Sequence, residues 1–128
     1  SRPLSTLRLL GAALQGLELA PDGRVAIVSV TLDTYRDCDA TQSDTEGLID
    51  YPRSIEGVDA VALVRQLEEG GFKVSLRSRG GISVESVARR HGGGGHRNAA
   101  GFNLDGSDVE VVRRQVLDEL AELVGAPQ

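Results

Sequence analysis

The chain has 128 residues, of which 40% are hydrophobic and 26% charged, as is typical of one soluble globular domain. A net charge of −5 argues against a broad basic surface for duplex nucleic acid, although a short substrate held by a few arginines is compatible with it. No stretch approaches the roughly 20 apolar residues of a membrane span. We therefore expect no membrane partner and a cytoplasmic location, in keeping with the single cysteine, Cys38. The absence of methionine predicts that residues 1–128 are a fragment of a longer protein.

Hydrophobic spacing predicts helices and strands in the order α-β-α-β-β-α-β-α. The first half is expected to contain a helix over 4–19, a buried strand over 25–32, a polar loop over 33–43, a helix over 44–51 and a strand over 58–67. In that half, Ser43 with Glu46 has the spacing of a capping box, and Pro52 is expected to end the helix.

The second half of the chain begins with a strand over 72–79, whose residues alternate between apolar and polar. Ser83 is expected to cap a helix that ends at a left-handed Gly92, and a short strand follows over 99–104. Ser107 with Glu110 then caps a final helix closed by Gly125 and Pro127. The expected fold is α/β: one domain with a mixed β-sheet flanked by helices and a glycine-rich loop between a helix and a short strand.

Four successive glycines, Gly92–Gly95, precede His96 and form the most distinctive motif of the chain. Because consecutive glycines are entropically costly, they indicate positive φ angles or close approach to the backbone, and their N–H groups can form an anion nest. The run lacks the Gly-Lys-Ser/Thr ending of a P-loop, and it follows a helix rather than a strand, unlike a dinucleotide fingerprint. The alternative is a flexible helix cap and linker.

Basic side chains share one face of the strand over 72–79, namely Lys73, Arg77 and Arg79. Guanidinium groups suit phosphate because they offer a planar fork of donors, whereas a solvated strand face is the alternative. One short helix separates this strand from the glycine run, so both can border one pocket. By alternation, Ser78 lies off this basic face unless a bulge turns it.

Other candidate groups give weaker signals. His91 and His96 make a poor metal site, and His91 is in phase with the apolar face of its helix, which indicates a packing role. Four aspartates form a loose acidic series whose spacing favours a solvated loop over a cation site: Asp33, Asp37, Asp39 and Asp44. Nothing near Cys38 predicts a reactive thiol.

The motif Gly92–His96 with Ala99-Ala100-Gly101, preceded by residues 74–78, resembles the C-terminal DHH-associated domain of DHH phosphoesterases. The resemblance spans residues 24–124. It is greatest to the nanoRNase branch, oligoribonucleases that degrade very short RNAs and dephosphorylate pAp; segments 43–47 and 53–58 support it. It implies a separate N-terminal DHH domain that holds Mn²⁺ in cis and acts as a 3′–5′ exoribonuclease or phosphoesterase. No Asp-His-His motif occurs in this chain, so we expect the chain alone to hydrolyse nothing.

In this family the associated domain binds the substrate, here short RNA, a linear or cyclic dinucleotide, or pAp. The resemblance implies that the glycine loop and His96 bind a substrate phosphate, and that Arg77 and Ser78 on the strand contact the phosphate or the terminal nucleotide. The substrate-binding residues implied in this way are Arg77, Ser78, Gly93, Gly94, Gly95 and His96. It also allows a homodimer of the full-length protein. Two alternatives remain: an RNA-binding module like that at the C-terminus of alanyl-tRNA synthetases, and a nucleotide sensor. The acidic charge and few aromatics weigh against the first.

Overall fold

The computed structural model describes residues 1–126 and shows a six-stranded mixed sheet with helices on its faces, which confirms the expected fold class. The strands are β1 Glu18–Leu19, β2 Val25–Val30, β3 Ala60–Gln66, β4 Phe72–Ser78, β5 Gly94–His96 and β6 Ala99–Leu104. Their spatial order is β1-β2-β3-β4-β6-β5, and only the pair of β2 with β3 is parallel. Strand β5 therefore lies at one edge of the sheet.

Five helices flank this sheet: α1 Leu4–Gln15, α2 Leu32–Asp37, α3 Asp50–Arg53, α4 Glu85–Arg90 and α5 Val109–Gly125. Residues Gln42–Thr45 form a 3₁₀ turn. Helices α4 and α5 pack on the first face, and their buried residues join one apolar cluster with residues from β2, β3, β4 and β6. Helices α1 to α3 lie on the second face, where the apolar cluster draws its strand residues from β2 and β3 alone.

Period-2 alternation explains this division. In β4, Phe72, Val74 and Leu76 are fully buried under the helices of the first face, while the residues between them are half-buried. In β3, whose first five residues are apolar, Val61 and Leu63 are buried on the second face instead. The second face of the sheet is thus covered above β2 and β3 and bare above the other strands.

The N-terminal half differs from expectation in three places. The first helix ends at Gln15, so that residues 18–19 form β1 against β2. The predicted loop over 33–43 begins instead with α2, because the side chains of Thr31 and Thr34 form a reciprocal capping box. The predicted helix over 44–51 is replaced by the 3₁₀ turn and α3, a helix that includes Pro52. Proline is tolerated there because the N–H groups in the first turn of a helix have no intrahelical acceptor, so that a missing N–H costs no hydrogen bond.

Two of the expected caps are also wrong. Helix α4 has Val84 as its N-cap and no side-chain cap from Ser83. Helix α5 is capped by Asp108, whose carboxylate accepts a hydrogen bond from the Glu110 N–H, rather than by Ser107. Its end includes Gly125, and the predicted role of Pro127 lies outside the described residues. None of the helices described in residues 1–126 combines the length and apolar character needed to cross a bilayer.

Candidate functional site

The bare part of the second face, called the open face below, is formed by β4, β6 and β5. Residues directly opposite each other in paired strands project to the same side of a sheet, so the strand register identifies its members. They are Lys73, Ser75 and Arg77 from β4, Ala99, Gly101 and Asn103 from β6, and Gly94 and His96 from β5. All eight are half-buried or exposed.

Three parallel rows cross the open face. Arg77 is opposite Ala99, which is opposite His96, so the two basic residues stand on either side of an alanine in the register of the sheet. In the next row Ser75, Gly101 and Gly94 form a floor of small residues. The register therefore brings the predicted arginine and histidine to one surface, although 18 residues lie between them in sequence.

Arg79 does not extend this surface as the alternation predicted. Strand β4 ends at Ser78, and the Arg79 N–H donates to the Asp59 carbonyl. The Arg79 guanidinium donates to the carbonyl of Arg53, 3.1 Å away, next to α3. The basic side chains that the open face keeps are therefore Lys73, Arg77 and His96.

Several basic side chains within residues 1–126, including those of the open face, have no ion-pair partner. Seven arginines form ion pairs with carboxylates: Arg24, Arg36, Arg53, Arg89, Arg90, Arg113 and Arg114. Within residues 1–126, neither Lys73 nor Arg77 has a carboxylate partner, and Arg77 donates only to the Leu76 carbonyl at 2.8 Å. The open face thus carries uncompensated positive charge, although the chain as a whole is acidic.

The first half of the glycine run is a helix cap. Gly92 has a φ of 79°, as predicted, and its N–H donates to the Arg89 carbonyl. The N–H of Gly93 donates to the Ala88 carbonyl, which completes a Schellman motif at the end of α4. The expected nest of consecutive free N–H groups therefore excludes these two residues. The second half of the run is not a loop, since it forms β5.

Close approach of backbones explains why glycine is needed at two positions in the run. A Cβ on Gly93 would lie 2.1 Å from the Gly101 carbonyl oxygen and 2.6 Å from the Phe102 Cβ. A Cβ on Gly95, where φ is 146°, would lie 2.5 Å from the Ala99 carbonyl oxygen. By contrast, a Cβ on Gly94 would meet nothing within 4 Å, so this glycine leaves open space above the sheet.

Ser78 lies on the first face and is 6% exposed, as the strand alternation predicted. Its hydroxyl donates to the Ile82 carbonyl at 2.6 Å and accepts from the Asn98 amide at 3.0 Å. The Asn98 amide also donates to the carbonyls of Gly80 and Ile82. This cluster fastens the turn between β5 and β6 to the loop that follows β4.

His91 has the packing role predicted from its helix phase. Its ring stacks on Phe102 with centroids 4.5 Å apart and an interplanar angle of 14°. Its Nε2 also lies 2.8 Å from a carboxylate oxygen of Glu119 on α5, a long-range partner that sequence spacing gave no means of finding. The residue that precedes the glycine run is thereby held to α5 and to β6.

The acidic series does not form a metal site. Asp33 and Asp37 lie on α2 and pair with Arg36. Asp44 faces α1, where it accepts hydrogen bonds from Thr6, from the Thr41 backbone and from Ser5, and the Thr6 bond contributes most to holding its pKa below the usual value. Across residues 1–126 no group of three or more His, Cys, Asp or Glu side chains is arranged to hold a metal ion. The residues present therefore do not fit Mn²⁺, and Cys38 is buried.

Comparison with known proteins agrees with this architecture. The DHHA1 domain family matches residues 22–125. The bifunctional oligoribonuclease and PAP phosphatase NrnA of Thermus thermophilus is 37% identical over 121 residues, which cover 94% of this chain and 36% of that protein. The NrnA of Bacillus subtilis is 29% identical over 101 residues, covering 79% of this chain and 31% of that protein.

Solved structures show the same fold. An exopolyphosphatase-related protein from Bacteroides fragilis superposes with a TM-score of 0.86 at 31% identity, covering 98% of this chain and 38% of that one. A pGpG-specific phosphodiesterase from Vibrio, PggH, superposes with a TM-score of 0.57 at 10% identity over 92% of this chain and 38% of that one, a likeness of fold alone.

These findings identify an α/β domain of the kind that accompanies DHH-family enzymes. The chain belongs to the DHHA1 domain family. It spans about a third of the length of the NrnA proteins that it matches.

Proposed function

We propose that this DHHA1 domain binds the substrate of a longer phosphoesterase that acts on short oligoribonucleotides, pAp or dinucleotides. One observation carries the proposal: the bare sheet surface holds Arg77 and His96 in one row, and Arg77 has no carboxylate partner within the described residues. A phosphate placed above Ala99 accepts hydrogen bonds from both side chains. Such charge-assisted bonds are about twice as strong as neutral ones.

The glycines serve this surface in different ways. Gly94 lets a ligand approach the sheet because no side chain projects there. Gly95 and His96 lie on an edge strand, where one side of the backbone has no strand partner among residues 1–126 and can bind a ligand. Gly93 has a structural part, because the absence of a Cβ lets its backbone pack closely against Gly101. Its N–H is not available to a ligand, since it already donates to the Ala88 carbonyl. These assignments place the predicted phosphate grip on the second half of the run.

We assign Ser78 an indirect part in this function. Its hydroxyl is buried and engaged with Ile82 and Asn98, so it holds the turn that precedes β6. Ala99, the residue below the proposed phosphate, begins β6 directly after that turn. Ser78 thereby positions the surface that Arg77 and His96 share.

The chemical step belongs to residues outside this chain under the proposal. The related NrnA proteins are about three times as long, and the remaining length is the place for a cis DHH domain. That domain would hold Mn²⁺, which supplies the activated nucleophile for attack on phosphorus. We place the whole enzyme in the cytoplasm, and we expect the 128-residue chain to bind nucleotides without hydrolysing them.

Titration of the ¹⁵N-labelled chain with 5′-AMP at low salt, followed by NMR, tests the proposal. We expect shifts confined to β4, β5 and β6, and Arg77→Gln should weaken binding about tenfold or more. Arg8→Gln is the matched control, because Arg8 is exposed on α1 and makes no ion pair within residues 1–126. Equal affinities of the two variants would contradict the proposal.

Two further assays test the alternatives. Tight tRNA binding without nucleotide binding would favour the RNA-binding alternative, and Mn²⁺-dependent dinucleotide cleavage by this chain would disprove its inactivity.

A further inference from the structure

A cavity of about 450 Å³ lies where the parallel strands β2 and β3 have their carboxyl ends, and it is called the α2 cavity below. Its walls come from α2, from residues 40–42 and from residues 65–69. In open α/β sheets, the crevice outside the carboxyl ends of parallel strands is the usual place for a ligand. The volume is within the range of about 300–1,000 Å³ that small-molecule sites occupy. None of the eight open-face residues lines this cavity, so it is separate from the proposed nucleotide site.

Part of the wall of the α2 cavity is apolar. It is formed by half-buried Leu32 and Tyr35 of α2 and by half-buried Leu67, which follows β3. Gln66 joins the two sides of this wall, because its Oε1 accepts a hydrogen bond from the Leu32 N–H at 2.9 Å. The Tyr35 hydroxyl is buried and has no hydrogen-bond partner among residues 1–126, so packing alone holds the ring. A ligand can therefore displace this ring without breaking a hydrogen bond.

The charges around the α2 cavity restrict the kind of ligand that it can bind. Arg65 is half-buried in the wall, and its guanidinium has no ion pair or hydrogen bond with any residue in 1–126. An unpaired charge that is partly removed from water is costly, and a carboxylate would relieve this cost by pairing with the planar fork of donors. Glu68 and Glu69 also line the cavity and are exposed. They would repel a ligand with several negative charges, such as a nucleotide phosphate.

We infer that the α2 cavity binds a small organic monoanion, namely a carboxylate with an apolar or aromatic body. The carboxylate pairs with Arg65, and the body packs against Leu32, Tyr35 and Leu67. The Gln66 amide nitrogen, which has no acceptor within the described residues, adds a second donor to the wall. This site does not depend on the proposed function, because it shares no residue with the open face.

Titration of the ¹⁵N-labelled 128-residue chain with phenylacetate and with its neutral analogue phenylacetamide tests this site by NMR. We expect saturable shifts from the amides of α2, of residues 40–42 and of residues 66–69. Phenylacetate should bind about tenfold more tightly than phenylacetamide, because its carboxylate pairs with a guanidinium. Arg65→Gln should abolish that difference, whereas Arg8→Gln, the matched control on α1, should preserve it. A dispersed spectrum close to that of the wild type verifies that each variant is folded.

A double variant of the two glutamates gives a second readout that does not depend on changing Arg65. Glu68 and Glu69 are exposed, so Glu68→Gln with Glu69→Gln should leave the fold intact. Removing their repulsion should strengthen phenylacetate binding by about twofold and leave phenylacetamide binding unchanged. Weaker phenylacetate binding by this double variant would contradict the proposed arrangement of charges.

The remaining outcomes separate this inference from the proposed function. Equal wild-type affinities for the two compounds, a preference that survives Arg65→Gln, or shifts that never saturate would each overturn the site. In a parallel titration, 5′-AMP should shift resonances of β4, β5 and β6 and leave those of α2 and residues 40–42 in place. Saturable AMP shifts in α2 would contradict the exclusion of nucleotide phosphates from the cavity. Failure of AMP to shift the open face would contradict the proposed function alone.

Discussion

The two faces of β4 and β6 have opposite roles. On the first face, Phe72, Val74 and Leu76 are fully buried under α5 and α4. On the second face, the intervening residues carry unpaired charge or lack bulk. The same strands therefore contribute to the apolar core on the first face, whereas their second-face residues belong to neither apolar cluster. This arrangement lets the open face vary in chemistry with little effect on the stability of the fold.

Substitution on the covered face should have the largest effect. Phe72→Ala removes a fully buried aromatic side chain and should lower the free energy of unfolding by about 3–5 kcal/mol. Ser75→Ala, on the open face of the same strand, should change it by less than about 0.5 kcal/mol. Urea denaturation of both variants measures the difference. Similar losses from the two substitutions would show that the open face also stabilises the fold.

A second comparison lies within the glycine run. Gly93→Ala forces a methyl group against the Gly101 carbonyl and should cost about 1–3 kcal/mol by overpacking. Gly94→Ala should leave stability within about 0.5 kcal/mol of the wild type, because its Cβ meets open space. The added methyl group would still stand on the open face, so Gly94→Ala should weaken nucleotide binding in the NMR titration. Equal destabilisation by the two variants would refute the assignment of separate roles.

The smallest effect is expected at Asp44, on the second face, whose carboxylate accepts hydrogen bonds from Ser5 and Thr6 of α1. Because hydrogen bonds from Thr6 and Thr41 lower the Asp44 pKa in the folded state, the carboxylate stabilises the fold above its unfolded pKa of about 3.9. This contribution is lost as pH falls through the folded value. Asp44→Asn should therefore lower the Tm at pH 7, and the Tm difference should begin to shrink as pH falls below about 4 and vanish below the folded pKa. A Tm difference that is independent of pH would rule out this charge effect.

Local patterns in the sequence were sufficient for the longer elements. The alternation over 72–79 and the apolar spacing after 109 each predicted the observed strand or helix within two residues. The short strands β1 and β5 were not predicted, because two or three residues are too few to show a periodic pattern of apolar and polar residues. Glycine has low strand propensity, and β5 is a strand only because β6 lies beside it.

The candidate site was predictable in its residue types but not in its arrangement. The glycine run and Arg77 were identifiable from the sequence, whereas the row of Arg77, Ala99 and His96 depends on long-range strand pairing. The sequence alternation placed Ser78 off the basic face, and its burial agrees with that placement. Lys73 was visible as a basic residue, but its position opposite Arg65 became apparent only through the register of β3 with β4.

Lys73 is the only lysine in the chain, and all the other basic residues besides the two histidines are arginines. Reductive methylation with ¹³C-formaldehyde would therefore label one side chain and the N-terminal amine. The methyl resonance of that one side chain would then report directly on occupancy and local electrostatics at the open face. An amine-directed affinity reagent would likewise have a single side-chain target in this chain, beside the proposed nucleotide site.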